Sequence, residues 1–155
     1  MSDVLQAIYR GDRDEAERLA AGKELDVFEA SALGRADRVR ELVDADASLA
    51  NAWTDDGFQP LGLASFFGHP ETVRLLVERG AEVNSASRNA MKVMPLHSAA
   101  AAQDPGVRYE IAQLLLDAGA DPNARQQDEY TPLMAADQHG DERLRALLLE
   151  HGARP

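Results

Sequence analysis

Histidine is the one side chain whose ordinary protonation change falls near neutral pH, and this chain has four, at positions 69, 97, 139 and 151. One of them lies between two carboxylates in the run Asp137-Gln138-His139-Gly140-Asp141. Those residue types can hold a divalent cation, or pass a proton as acid and base. A plain turn between two helices explains the same run without a ligand. Gly140 stops one helix there, and Asp141 is suited to accept the first free amides of the next. The turn is the preferred reading, so no metal, cofactor or catalytic residue is expected. A small metal-dependent enzyme using Asp137, His139 and Asp141 is the least favoured alternative. Elsewhere the chain has no cysteine, no glycine-rich phosphate loop and no serine in a nucleophile-elbow context.

The elements that hold these residues repeat. A Pro-Leu pair, a helix's length of small and apolar residues, and a Gly-Ala pair recur as Pro60-Leu61 to Gly80-Ala81, Pro95-Leu96 to Gly119-Ala120 and Pro132-Leu133 to Gly152-Ala153. The first and last copies have equal length and the middle one is four residues longer. Asn51 and Asn84, one in each of two successive units, are 33 residues apart. Recurrence at this scale means a stack in which each unit buries its apolar face only against its neighbours.

A 33-residue period with Thr-Pro-Leu-His-x-Ala is the mark of ankyrin repeats, and residues 57–84 resemble one such repeat throughout. The resemblance covers essentially the whole chain and implies an all-α solenoid of helix-turn-helix units with β-hairpin-like fingers. It divides the chain into an amino-terminal helical half-cap (3–22), repeat 1 (23–56), repeat 2 (57–89), repeat 3 with the insertion (90–128) and repeat 4 with a carboxyl-terminal cap (129–155). His69 then falls in the family's Gly-His turn and His97 in its Thr-Pro-Leu-His place, so neither needs a ligand. Only Thr131 keeps the family's threonine and only His97 its histidine, so that capping network should be largely absent. Met94→Thr should therefore stabilise the protein.

Local chemistry assigns each part of a unit. Pro60 can open a helix because its missing N–H costs nothing in the first turn. Val73, Leu76 and Val77 make the buried stripe of the second helix, repeated by Leu114 and Leu115 and by Leu147 and Leu148. In the half-cap the buried set is Val4, Leu5, Ile8, Tyr9, Ala16 and Leu19. Arg145 takes the place of Val39 and Val73, as expected where no further repeat covers that face. Pro105-Gly106, in the insertion at 103–106, reads as a tight turn of tolerated extra length.

Ankyrin-like proteins bind other proteins through finger tips and the exposed face of the first helices. Carried onto this chain, those positions are Trp53, Asp55, Asp56 and Phe58 in one finger and Phe66 and Phe67 on the helix after it. The next finger offers Asn89, Met91, Lys92 and Val93, with Ala101 and Ala102 on its helix, and the last offers Gln127, Asp128 and Tyr130. Five of the eight aromatics fall among them, an aromatic centre rimmed by Asp55, Asp56, Asp128 and Glu129. The alternative is that Phe66 and Phe67 pack between repeats and Trp53 folds onto Phe58.

A formal charge of −11 disfavours nucleic acid and favours a basic partner. No run approaches a membrane-spanning length, and the amino-terminal residues lack a charged-then-apolar layout, so no membrane partner is expected and the cytoplasm is the expected location. The expectation is a non-enzymatic protein-binding module, a stand-alone adaptor or inhibitor, that takes an apolar, basic-flanked segment. The second reading is a self-associating structural protein, a weak homodimer formed through the same aromatic groove.

Overall fold

Helix starts in this chain are written in its capping residues. In the computed structural model, which describes residues 1–155, Ser2, Asp12, Asp26, Asp104, Thr131 and Asp141 each accept a backbone N–H of the helix that follows. Proline occupies the first helical position at Pro60, Pro70, Pro95, Pro105 and Pro132. The result is ten α-helices in five antiparallel pairs: α1 (Asp3–Tyr9) with α2 (Arg13–Ala20), α3 (Val27–Leu33) with α4 (Ala36–Ala45), α5 (Pro60–Phe66) with α6 (Pro70–Glu78), α7 (Pro95–Ala100) with α8 (Pro105–Asp117), and α9 (Pro132–His139) with α10 (Glu142–Glu150).

The pairs stack in chain order. The inner helices α1, α3, α5, α7 and α9 pack in one row, and α4, α6, α8 and α10 pack in the row behind it. The core is one continuous apolar sheet of contacts between the rows. On the outer helices the fully buried positions are Val73, Leu75 and Leu76 in α6, Ile111, Leu115 and Leu116 in α8, and Leu144, Leu147 and Leu148 in α10. Val77 and Leu114 are only partly buried, because the buried pair sits one residue nearer the amino end in α6 and one nearer the carboxyl end in α8 than expected. Each fully buried leucine contributes roughly 1.5–3 kcal/mol. Leu19 is also only partly buried, and Tyr9 is 37% exposed.

The fingers contain no β-strand, but single backbone bonds close them like hairpins: Thr54 N–H to Phe58 O (2.8 Å), Ser87 N–H to Val93 O (2.7 Å) and Gln126 N–H to Tyr130 O (3.0 Å). Neighbouring fingers are tied by Arg88 N–H to Gly57 O and Gln127 N–H to Met91 O, both 2.8 Å. Gly57 cannot be replaced freely, since it has φ +89° and a Cβ would stand 2.5 Å from the Arg88 carbonyl oxygen.

The repeated asparagines explain themselves here. Asn51 donates to Gly80 O (3.0 Å) and accepts from Glu82 N–H (2.8 Å). Asn84 does the same with Gly119 and Asp121, and Asn123 with Gly152 and Arg154, at matching distances. Each asparagine staples one unit to the Gly-Ala turn of the next.

The insertion behaves differently from the tight turn expected of it. Asp104 accepts from Gly106 N–H (2.8 Å) and Val107 N–H (3.1 Å), so Pro105-Gly106 becomes the first turn of α8. That helix has 13 residues against 9 in α6, and the extra four add one turn at its amino end.

Candidate functional site

The run around His139 is already occupied by its own neighbours. Asp141 caps α10 through Leu144 N–H (3.0 Å) and pairs with the Arg108 guanidinium at 2.7 Å, both side chains being nearly sealed from solvent (8% and 5% exposed). Asp137 pairs with Arg145 Nε at 2.9 Å. His139 is exposed, and nowhere do three or more histidine and carboxylate groups converge as a metal site. Both carboxylates of that run are thus engaged in ion pairs, and the added turn of α8 is what carries Arg108 to Asp141.

Two other histidines bind backbone. His97 accepts Met94 N–H at Nδ1 (3.3 Å) and donates from Nε2 to Ala124 O (3.0 Å) and Tyr130 O (3.1 Å), which fixes a neutral tautomer. A single histidine thus joins α7 to the following finger, so the capping network survives here in part. In repeat 2 the place of His97 is taken by Gly62, and the residue matching Met94, Gln59, instead donates back to Asn51 O at 3.0 Å. His69 reaches back one repeat to Ala32 O (2.8 Å). Burial holds both histidines below the usual imidazole range.

An apolar concavity of the finger side runs along α5. Phe66 (49% exposed) and Met91 (44% exposed) stand at its edges, with Phe58, Phe67 and Val93 half-buried inside it, and its volume is about 490 Å³. Asp56 lies at its rim. Five large apolar side chains are exposed on the whole surface, and three of them, Tyr9, Phe66 and Met91, line this groove. Their exposure is concentrated where a partner can cover it.

The structure brings together six of the residues the sequence singled out: Asp56, Phe58, Phe66, Phe67, Met91 and Val93. It separates four. Trp53 and Asp55 face a different hollow beside Leu5 and Phe28, and the Trp53 ring is covered by the Arg88 guanidinium at 4.0 Å instead of folding onto Phe58. Asp128 lies at the tip of the last finger outside the groove, and the Tyr130 hydroxyl turns away to donate to the Gln138 side-chain oxygen. Glu129 is paired with Arg125, and Ala102, expected on the presenting face, is buried.

Of the two phenylalanines, Phe67 takes the packing role. Its ring stacks on Tyr9 (centroids 6.1 Å apart) and meets Phe66 edge-on (5.0 Å). Tyr9 is the residue that sequence reasoning missed, because its place in the apolar pattern of α1 marks it as core. The usable signal was size: the residues aligned with Phe66 in the adjacent units are Ala32 and Ala101, so a ring reaching across repeat 1 meets no obstacle. Burial first and the Asp56 carboxylate second push the Tyr9 hydroxyl up to about 12.

No helix is long and apolar enough to cross a membrane. Comparison with known proteins agrees with the architecture. A family model described as ankyrin repeats (3 copies) matches residues 4–87 and 27–126. The chain is 36% identical over 104 residues to the E3 ubiquitin-protein ligase Ufd4 of Drosophila melanogaster, a match covering 67% of this chain and 4% of that protein. It is 32% identical over 127 residues to an ankyrin repeat-containing protein of Treponema pallidum, covering 76% of this chain and 41% of the other. With the human ankyrin repeat and SOCS box protein 16 it shares 32% identity over 194 aligned positions, covering 96% of this chain and 42% of that protein. The chain thus spans less than half the length of each of these relatives.

Proposed function

Because the chain belongs to the ankyrin repeat family, whose repeats are protein–protein interaction modules, we propose that it is a non-enzymatic binding module, an adaptor or inhibitor, whose groove along α5 takes an apolar segment of another protein flanked by Lys or Arg. The observation that carries this reading is the convergence of exposed Tyr9, Phe66 and Met91 on one groove, since such residues dominate interface energetics when covered. A basic flank is supported by the overall charge of −11, by Asp56 at the rim and by Asp55 beside it, which forms no ion pair. The same charge opposes self-association, because two copies repel. We place the protein in the cytoplasm on the same reading.

The test is affinity capture from the native cell extract with wild-type protein and with Phe66→Ala, Met91→Ala as control. Both side chains are exposed, so the variant keeps its fold. A protein retained by wild type and lost by the variant supports the reading; equal retention by both overturns it.

A further inference from the structure

The groove along α5 is one half of a longer depression. Beyond the ridge of Tyr9, Phe66 and Phe67 lies a second hollow of about 680 Å³, formed where the inter-helix turns of successive units meet. Ile8, Leu33 and Val107 supply its apolar surface, and the two hollows share the three rings and Ala101. Residues smaller than the ring pair on either side of it produce this form. Ala32 and Leu33 precede Phe66 and Phe67 by one unit and Ala101 and Ala102 follow them by one, so the rings stand up between two recesses.

The far recess is edged by Arg10 and Arg13. Of the sixteen Lys and Arg residues, nine are held in ion pairs. Arg88 and Arg143 lie over the rings of Trp53 and Tyr109. Arg10 and Arg13 are among the few left without a partner, and they are the only cations lining either hollow. Asp12 accepts from Glu15 N–H (3.0 Å), Asp104 caps α8, and Glu17 pairs with Arg35, so these carboxylates keep their charge but none forms an ion pair with Arg10 or Arg13, and neither does Asp14. Arg13 also opens α2, where the helix dipole adds positive potential. Two guanidinium groups free of ion pairs therefore stand beside an apolar recess, open to a carboxylate, although the Asp104 carboxylate shares that lining.

Resting on the groove reading above, we propose that the partner's apolar segment carries opposite charges at its two ends, basic at one and acidic at the other. A basic residue lies by Asp56 at the finger end, apolar residues cross Phe58, Phe66 and Phe67, and an Asp or Glu seats between Arg10 and Arg13. Paired guanidinium groups suit a carboxylate because they offer fork-shaped donors, and the apolar floor keeps water from competing fully.

The experiment selects a random peptide library on wild-type protein, then measures a fluorescein-labelled peptide made to the enriched consensus. Binding by anisotropy is compared among wild type, Phe66→Ala and the double variant Arg10→Glu, Arg13→Glu. Glutamate at position 13 suits a helix amino terminus while one at position 10 opposes the dipole at the carboxyl end of α1, so the melting midpoint of the variant is measured beside its binding. The expected consensus carries Lys or Arg, apolar residues, then Asp or Glu. The double variant should bind that peptide about tenfold more weakly, and changing the peptide's acidic residue to Lys should reverse the preference. A consensus with no acidic position, or an affinity unmoved by the double variant, overturns the proposal. If Phe66→Ala still abolishes binding in that case, the groove reading stands alone. If Phe66→Ala also has no effect, or no peptide is enriched, both readings fall. Concentration-dependent dimerisation abolished by Phe66→Ala would put a second copy in the groove and overturn the proposal as well.

Discussion

Arg108→Ala removes one partner of an ion pair in which both side chains are nearly inaccessible, 5% and 8% exposed. The guanidinium does three things at once: it pairs with Asp141 at 2.7 Å and donates to Ala102 O (2.8 Å) and Gln103 O (3.2 Å). Truncation leaves the Asp141 carboxylate with its Leu144 cap but no counter-charge, and takes the donor from the buried Ala102 carbonyl. Breaking a buried pair from one side costs about 3–5 kcal/mol, against about 0–1 kcal/mol for a surface pair. For a chain of this length that lowers the melting midpoint by roughly 6–20 °C. The assay is urea or thermal unfolding followed by circular dichroism, with Arg40→Ala, which loses an exposed pair to Asp37, as the surface comparison. The pH dependence supplies a second readout. Burial works against the Asp141 charge, but the Leu144 amide and Arg108 outweigh it and hold the carboxyl below its ordinary range. A depressed folded value gives stability that is present above the ordinary carboxylate range and lost as pH falls through the folded one. Arg108→Ala should therefore also flatten the acid limb. A loss below about 1 kcal/mol, equal to that of Arg40→Ala, would refute the claim that this pair locks α8 to α10.

Three further outcomes follow from the same contacts. Met94→Thr should raise stability by about 1 kcal/mol, because Met94 begins α7 in extended conformation with no side-chain cap while Thr131 caps α9 from the matching place; an unchanged or lower midpoint would refute it. Asn84→Ala should cost about 1–2 kcal/mol by removing both bonds to the next unit, and guanidinium unfolding no different from wild type would show the staple to be idle. His69 and His97 are held below their ordinary value by burial, so the unfolded chain binds more protons at mildly acid pH; urea midpoints should fall as pH drops below about 6.5, before carboxylates titrate, and a flat profile from pH 7.5 to 5.5 would contradict this.

The architecture was legible because its signals are local and recur. Pro60, Pro95 and Pro132 open inner helices, and the Gly-Ala pairs at 80, 119 and 152 close outer ones, all as their backbone preferences require. Phe66 and Met91 could likewise be placed at presenting positions, since position within a repeat determines which way a side chain faces. Pro105-Gly106 was harder, because the same pair serves a turn or a helix start, and only the Asp104 cap and the carried Arg108 decide between them.

What the amino-acid order settled without help is the repeating unit, the proline starts of its inner helices and the glycine ends of its outer ones, because these depend on interactions within about one unit of chain, whereas the exact buried register of α6 and α8 was one residue off. Tertiary structure alone decided which charges are consumed and which rings share a groove. Arg108 meets Asp141 across 33 residues, and Tyr9 stacks on Phe67 over an intervening repeat. Trp53, alike in type and finger position, is drawn under Arg88 and away from the groove. The physical reason is range: backbone preference and periodicity act along the chain, whereas ion pairing and ring stacking depend on separation in space, which the curvature of the stack sets.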